Sequence, residues 1–124
     1  YHYGLNHNPM TSNYFDLAKF FGKPMAVAEM GAISHDVKVF GKNIEATEED
    51  QLKFKKGVLE GADPNDFKFI VNFVAIDYDE AIKQFPKSVR EFANAWVHTG
   101  FQRASRNNKK ALTLWDSYLV LPKR

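Results

Sequence analysis

A chain of 124 residues that is 44% hydrophobic and 26% charged has the composition of a folded domain with a single core, not of a disordered tail. Its formal net charge of +2 is too small to argue for nucleic acid, since its basic residues are dispersed except for Arg103, Arg106, Lys109 and Lys110. It has no Cys, which excludes a disulfide framework and a thiolate metal site, and no apolar run approaches the roughly 18 to 20 residues needed to span a bilayer.

Tyr1 to Asn6 is short, aromatic and strand-like, and runs into the turn cluster Asn6-His7-Asn8-Pro9. It has no leader or polar lead-in, so the natural protein is expected to extend upstream. Tyr14, Leu17, Ala18 and Phe21 then recur at helical spacing, with Thr11, Ser12 or Asn13 as N-cap and Gly22 and Pro24 as the stop. Met25 to Met30 is a nearly unbroken apolar run closed by Gly31, as expected of a strand buried on both faces in a parallel sheet.

Gly31 to Ala46 reads as a long irregular connection and a candidate functional loop. Thr47-Glu48-Glu49-Asp50 combines an N-cap with three acids in a first helical turn. Phe54, Val58 and Leu59 mark that helix's inner face, and Gly61 its end. After the turn Asp63-Pro64-Asn65-Asp66, Phe67 to Asp77 is the strongest strand pattern in the chain, with Asp77, Asp79 and Glu80 at its C-terminal end. Val89, Phe92, Ala93 and Trp96 form one helical stripe. Ala111, Leu112, Trp115, Tyr118 and Leu119 form another, beyond the polar stretch Arg103 to Lys110, which reads as a solvated loop.

Alternating strands and helices imply parallel α/β architecture. Three parallel strands would expose two unpaired edges and make a poor domain alone. A complete (β/α)8 barrel takes about 250 residues, so the fold expected is the C-terminal part, about the last three βα units, of a TIM barrel, with residues 1–124 forming half of one catalytic domain. A small open α/β sheet is the rival geometry and needs more strands than the pattern offers.

The chemically informative stretch is Lys23-Pro24-Met25-Ala26-Val27-Ala28-Glu29-Met30-Gly31. Packing does not explain a carboxylate ending an apolar strand, because burying an unpaired charge is costly, and C-terminal strand ends are where parallel α/β folds place their sites. This stretch resembles the seventh strand of the large clan of (β/α)8 retaining glycoside hydrolases, in which Lys-Pro, an apolar strand and Glu-x-Gly carry the nucleophile. His2 and Tyr3 resemble groups ending the clan's sixth strand, where a Tyr orients the nucleophile. Thr47 to Gln51 resembles the opening of its seventh helix, and Thr99-Gly100-Phe101 with Lys109-Lys110-Ala111-Leu112 through Trp115 its closing pattern, although Lys110-Ala111 lacks the clan's intervening Pro.

The resemblance implies a glycosidase acting on a poly- or oligosaccharide, without a cofactor, in which Glu29 attacks the anomeric carbon and Tyr3 orients it. A second carboxylate about 5 to 5.5 Å away serves as acid and base. The clan carries that acid in an Asn-Glu pair on the fourth strand; no such pair precedes Glu29, so it is expected outside this chain, and the chain alone is expected to be inactive. The resemblance also implies a secreted or periplasmic parent whose remaining chain completes the barrel; the open sheet edges leave as a further alternative two copies of this chain pairing into one barrel. His2, Asn6, His7, Asp77 and Tyr78 are the candidate substrate-binding residues.

Blander roles compete for several of these residues. A strand-end carboxylate can serve a structural ion pair, Asn-His-Asn-Pro is good turn chemistry, and Trp96 and Trp115 sit on helical stripes and are assigned to the core. His35, Asp36 and His98 lack the spacing of a metal set, so no metal is expected. A non-catalytic carbohydrate-binding or scaffold protein with a barrel-like fold is the alternative.

Overall fold

The computed structural model describes residues 13–16 and 20–120. The expected strand Tyr1 to Asn6, and with it His2, Tyr3, Asn6 and His7, lies outside the described residues. Of the expected Tyr14–Phe21 helix, the described parts are a 3-10 turn at Asn13–Asp16 and a helical end at Phe20 and Phe21.

Strand β1 (Val27–Met30) pairs in parallel with β4 (Ile70–Asn72), and helix α1 (Glu48–Ala62) lies between them in sequence. Backbone hydrogen bonds extend the pairing from Lys68 N to Met25 O (2.8 Å) through Val27 N to Phe69 O (3.0 Å) to Phe73 N to Met30 O (2.8 Å), with an irregularity between Val27 and Met30. This is a strand, crossover helix, parallel strand unit.

The expected irregular connection after β1 instead contains an antiparallel hairpin, β2 (Val37–Val39) and β3 (Lys42–Ile44). Its two-residue turn, Phe40 (φ 47°) and Gly41 (φ 79°), puts both residues in the left-handed region, as a twist-matched tight hairpin requires. The expected strand Phe67 to Asp77 is also shorter than its pattern. Asn72 Nδ2 donates to Val74 O at 2.6 Å, closing a local turn that ends the ladder. The chain then makes a separate parallel bridge from Ile76 to Gln102.

Helix α1 begins where the sequence predicts. Thr47 Oγ1 accepts from Asp50 N (3.2 Å) and the Asp50 carboxylate accepts from Thr47 N (2.9 Å), a reciprocal capping box. Those bonds, the Thr47 side chain's first, hold Asp50 below its ordinary pKa. The helix runs one residue past Gly61, where the Phe15 ring lies so close that a Cβ would sit 2.4 Å from it. The expected helix around Val89 is split into α2 (Lys87–Ala93) and a 3-10 turn at Asn94–Trp96, and α3 (Lys110–Leu119) packs on α1.

Val37, Ile82 and Val97 form one core cluster, which joins the hairpin to the segment after β4. The two indoles lie half-buried in aromatic contacts, Trp96 with Phe73 and Phe92, and Trp115 with Phe101. On β4 and its flanks the alternate residues Phe69, Val71 and Phe73 stay 56%, 45% and 39% exposed, an open apolar sheet face. Among the described residues no helix is long and apolar enough to cross a membrane.

Candidate functional site

The C-terminal ends of β1 and β4 and the N-terminal ends of α1 and α3 meet at one edge of the molecule. Ser34 and His35 follow β1, Glu48 opens α1, Asp77 and Asp79 follow β4, and Lys109 precedes α3; together with His98 and Arg103 they line a pocket of about 200 Å³. Parallel α/β sheets bind ligands at this carboxyl edge because the loops that join strand to helix converge there.

Asp77, expected from the sequence to touch substrate, is buried at the centre of a network. Lys109 Nζ lies 2.7 Å from its carboxylate, Gly100 N donates to Oδ1 at 3.0 Å, and His98 Nδ1 lies 3.4 Å from Oδ2. Burial raises the pKa of Asp77, but the bonds from His98, Lys109 and Gly100, with the Lys109 charge, outweigh it and hold the carboxyl below its ordinary value. Lys109 also donates to Ser34 Oγ (2.7 Å) and His98 O (3.2 Å), and Ser34 Oγ donates to that same carbonyl (3.0 Å). Burial pulls the Lys109 pKa downward, with Asp77 working against it. The hydroxyl of Ser34 is thus spent on the backbone, so the serine does not form a nucleophile and base pair with the His98 ring.

The tight fit at Gly100 explains why a glycine stands there. A Cβ at this position would sit 2.6 Å from Asp77 N and 2.7 Å from the Ile76 carbonyl carbon, closer than side-chain contacts allow. Tyr78 turns away from the pocket: its ring packs on the core cluster and its hydroxyl donates to Ala93 O at 3.1 Å. Burial raises its pKa.

Glu29 is half-buried in β1, with Oε1 shielded from solvent. It does not line the Asp77 pocket. His35 and His98, which the sequence leaves 63 positions apart, stack edge to face with ring centroids 5.3 Å apart. Asp36 is drawn off to cap the loop, accepting from Ala46 N at 2.9 Å.

Reading Arg103 to Lys110 as a solvated loop needs correction at its C-terminal end. Lys109 is buried, because Asp77 and two further acceptors surround its ammonium. Arg103 pairs with Glu48, and Lys110 with Glu49, on the exposed side. Charge runs are usually solvated, so composition carried no signal for this burial.

A second buried cation stands one layer below. Gln51 and Lys55, one turn apart on α1, are both fully buried. Gln51 Nε2 donates to Ala32 O (2.8 Å), Gly100 O (3.2 Å) and His98 O (3.3 Å), which ties α1 to both loops of the pocket. Lys55 Nζ donates to Asn72 Oδ1 (2.7 Å) and Thr99 O (3.2 Å), 3.7 Å from the centre of the Phe101 ring. Burial first, and the Lys109 charge second, lower its pKa to about 7 against a smaller pull from Asp77. The available signal was spacing: Gln51 and Lys55 precede Val58, Leu59 and Ala62 on one helical face.

Comparison with protein-family models, curated proteins and solved structures yields no match to this chain.

Proposed function

We propose that this chain is the C-terminal part of the (β/α)8 catalytic domain of a retaining glycoside hydrolase, with Glu29 as its nucleophile. The observation that carries this reading is the location of Glu29 in a strand paired in parallel with β4, at the end where such folds gather their ligands. Further support comes from the β1-α1-β4 unit itself and from the open row Phe69, Val71 and Phe73, a sheet face that needs covering by more polypeptide. The rest of the parent chain, or a second copy, would supply that cover.

In the proposed reaction a Glu29 carboxylate oxygen bonds to the anomeric carbon as the glycosidic C–O bond breaks, and the leaving oxygen takes its proton from a second carboxylic acid. Water then attacks the same carbon and gives its proton to that carboxylate, and Glu29 is released. The acid is assigned to the part of the barrel outside this chain, and Tyr3 to orienting Glu29. The resemblance further proposes an exported parent.

Treating the full-length protein with a 2-fluoro glycoside bearing an activated leaving group should leave a glycosyl adduct on Glu29, detected by peptide mass spectrometry. An adduct on another residue, or unimpaired turnover by Glu29→Gln, would remove the assignment.

One observation favours a second reading, a non-catalytic carbohydrate-binding protein: the polar pocket at the carboxyl edge is built without Glu29. An Asn-Glu pair ending a fourth strand upstream would favour the enzyme, and its absence the binder.

A further inference from the structure

Lys55 carries its ammonium into the interior without an acid to neutralise it. Both of its acceptors are neutral, Asn72 Oδ1 at 2.7 Å and Thr99 O at 3.2 Å, and the centre of the Phe101 ring lies 3.7 Å away. Among the described residues no carboxylate forms an ion pair with it. Burial and the Lys109 charge ahead of α3 both oppose the ammonium, and Asp77, beyond β4, favours it less strongly. Asp77 is itself engaged by Lys109, His98 and Gly100 N. On α1 the buried neighbour one turn earlier is the neutral Gln51.

This surrounding suits the amine better than the ammonium. A neutral amine has two hydrogens, which the two oxygens satisfy, so losing a proton keeps both bonds and removes the charge. Gaining it creates a charge that burial disfavours and a third N–H that meets the ring in place of an oxygen. Water would relieve both.

The two segments that cover Nζ differ in how they are fastened. Asn72 ends β4, which its ladder to β1 holds in the sheet. Residues 98–101 form a loop held largely by side chains: Gln51 Nε2 to His98 O and Gly100 O, Gly100 N to Asp77 Oδ1, and Lys109 Nζ to His98 O. A backbone bond from Phe101 N to Ala75 O closes its far end. Loops fastened in this way open before paired strands do, so the route for water to Lys55 runs past Thr99. His98, in the same loop, lines the Asp77 pocket.

We propose that residues 98–101 are a proton-operated flap. When Lys55 takes up a proton the loop lifts locally to let water reach the ammonium, and the pocket wall formed by His98 opens with it; when Lys55 is neutral the loop stays closed. The device does not require Glu29 to be a nucleophile.

The test is amide hydrogen exchange of the protein, followed by NMR from about pH 6 to 9 with the intrinsic pH dependence of exchange divided out, and repeated in low urea. The opening constant read at the Gly100 and Phe101 amides should fall about tenfold per pH unit above about 7, without sensitivity to urea. The Lys55 Cε resonance, identified by its contact with the Phe101 ring, should titrate over the same range. In Lys55→Met the pH dependence should vanish.

That variant keeps His98, Asp77 and Lys109, so a dependence that survives in it belongs to them and overturns the proposal. Loop exchange that accelerates with urea overturns it as well, because the opening is then global unfolding. A Lys55 midpoint at its ordinary 10.5 has the same consequence, and it is read on the wild type whether or not the variant folds.

Discussion

Replacing Lys55 by Met tests the buried network most directly. The folded state holds this ammonium against two neutral acceptors and an aromatic ring with a pKa near 7, whereas the unfolded chain returns it to its ordinary 10.5. Below pH 7 both states are protonated, and the cost of the buried charge is fully present. Between about 7 and 10.5 the unfolded state binds the extra proton, so stability rises with pH. Above 10.5 both are neutral and the dependence ends.

One pH unit between the two pKa values corresponds to about 1.4 kcal/mol, so the full cost is about 5 kcal/mol, of which about 3 kcal/mol is relieved between roughly pH 6 and 9. Lys55→Met carries no such charge but takes the donor from Asn72 Oδ1 and leaves Thr99 O with only the longer bond from Asn72 Nδ2 (3.4 Å), a penalty of about 1–3 kcal/mol that does not vary with pH. Urea unfolding of both proteins, followed by the fluorescence of Trp96 and Trp115, should therefore show wild type gaining on the variant by about 3 kcal/mol across that range. Parallel stability profiles would refute the reasoning, because they would mean that Lys55 keeps an ordinary pKa in the folded chain.

Lys109→Met strips the buried Asp77 carboxylate of its cation and should cost about 3–5 kcal/mol in the same assay. Asp77 itself, with a folded pKa below its unfolded one, contributes stability that is present above about pH 4 and lost as pH falls through the folded value; Asp77→Asn should flatten that acid limb. Gly100→Ala, forced against the Ile76–Asp77 backbone, should destabilise by about 1–3 kcal/mol and move the His98 imidazole resonances. Phe40→Asn, which relieves an aromatic residue held at φ 47°, should raise stability by about 1 kcal/mol on chemical denaturation.

What the sequence made legible was local. The capping box at Thr47 and Asp50 needs only residues three apart, and the stripe of α3 only a 3.6-residue period, so both ends of that information lie within one window. The hairpin was missed because Phe40-Gly41 lacks the Asn or Asp that usually announces such a turn; Gly41 supplies one left-handed residue and the fold imposes the other on Phe40. The overlong reading of β4 came from a pattern that stays apolar through Ile76, while the Asn72 side chain diverts the backbone at Val74.

The buried cations were illegible for a different reason. Lys55 and Lys109 are ordinary surface residues by composition, and their acceptors lie far along the chain, Asn72 at 17 and Asp77 at 32 positions away. Only the fold brings them together.

The same distinction governs how the two strand-end acids should be judged. Glu29 and Asp77 each close an apolar run in the sequence, which marks the first as the candidate nucleophile and the second as a candidate substrate-binding residue. At Asp77 the chain supplies Lys109, Gly100 N and His98, so the charge that location made suspicious is neutralised, and its depressed pKa suits a structural anion better than a proton donor. That cation comes from a residue 32 positions away, which position in the sequence does not announce. For Glu29 the deciding property is then whether its oxygen forms a bond to carbon, which is why covalent labelling, and not further inspection of where the residue stands, discriminates between the hydrolase and the binding protein.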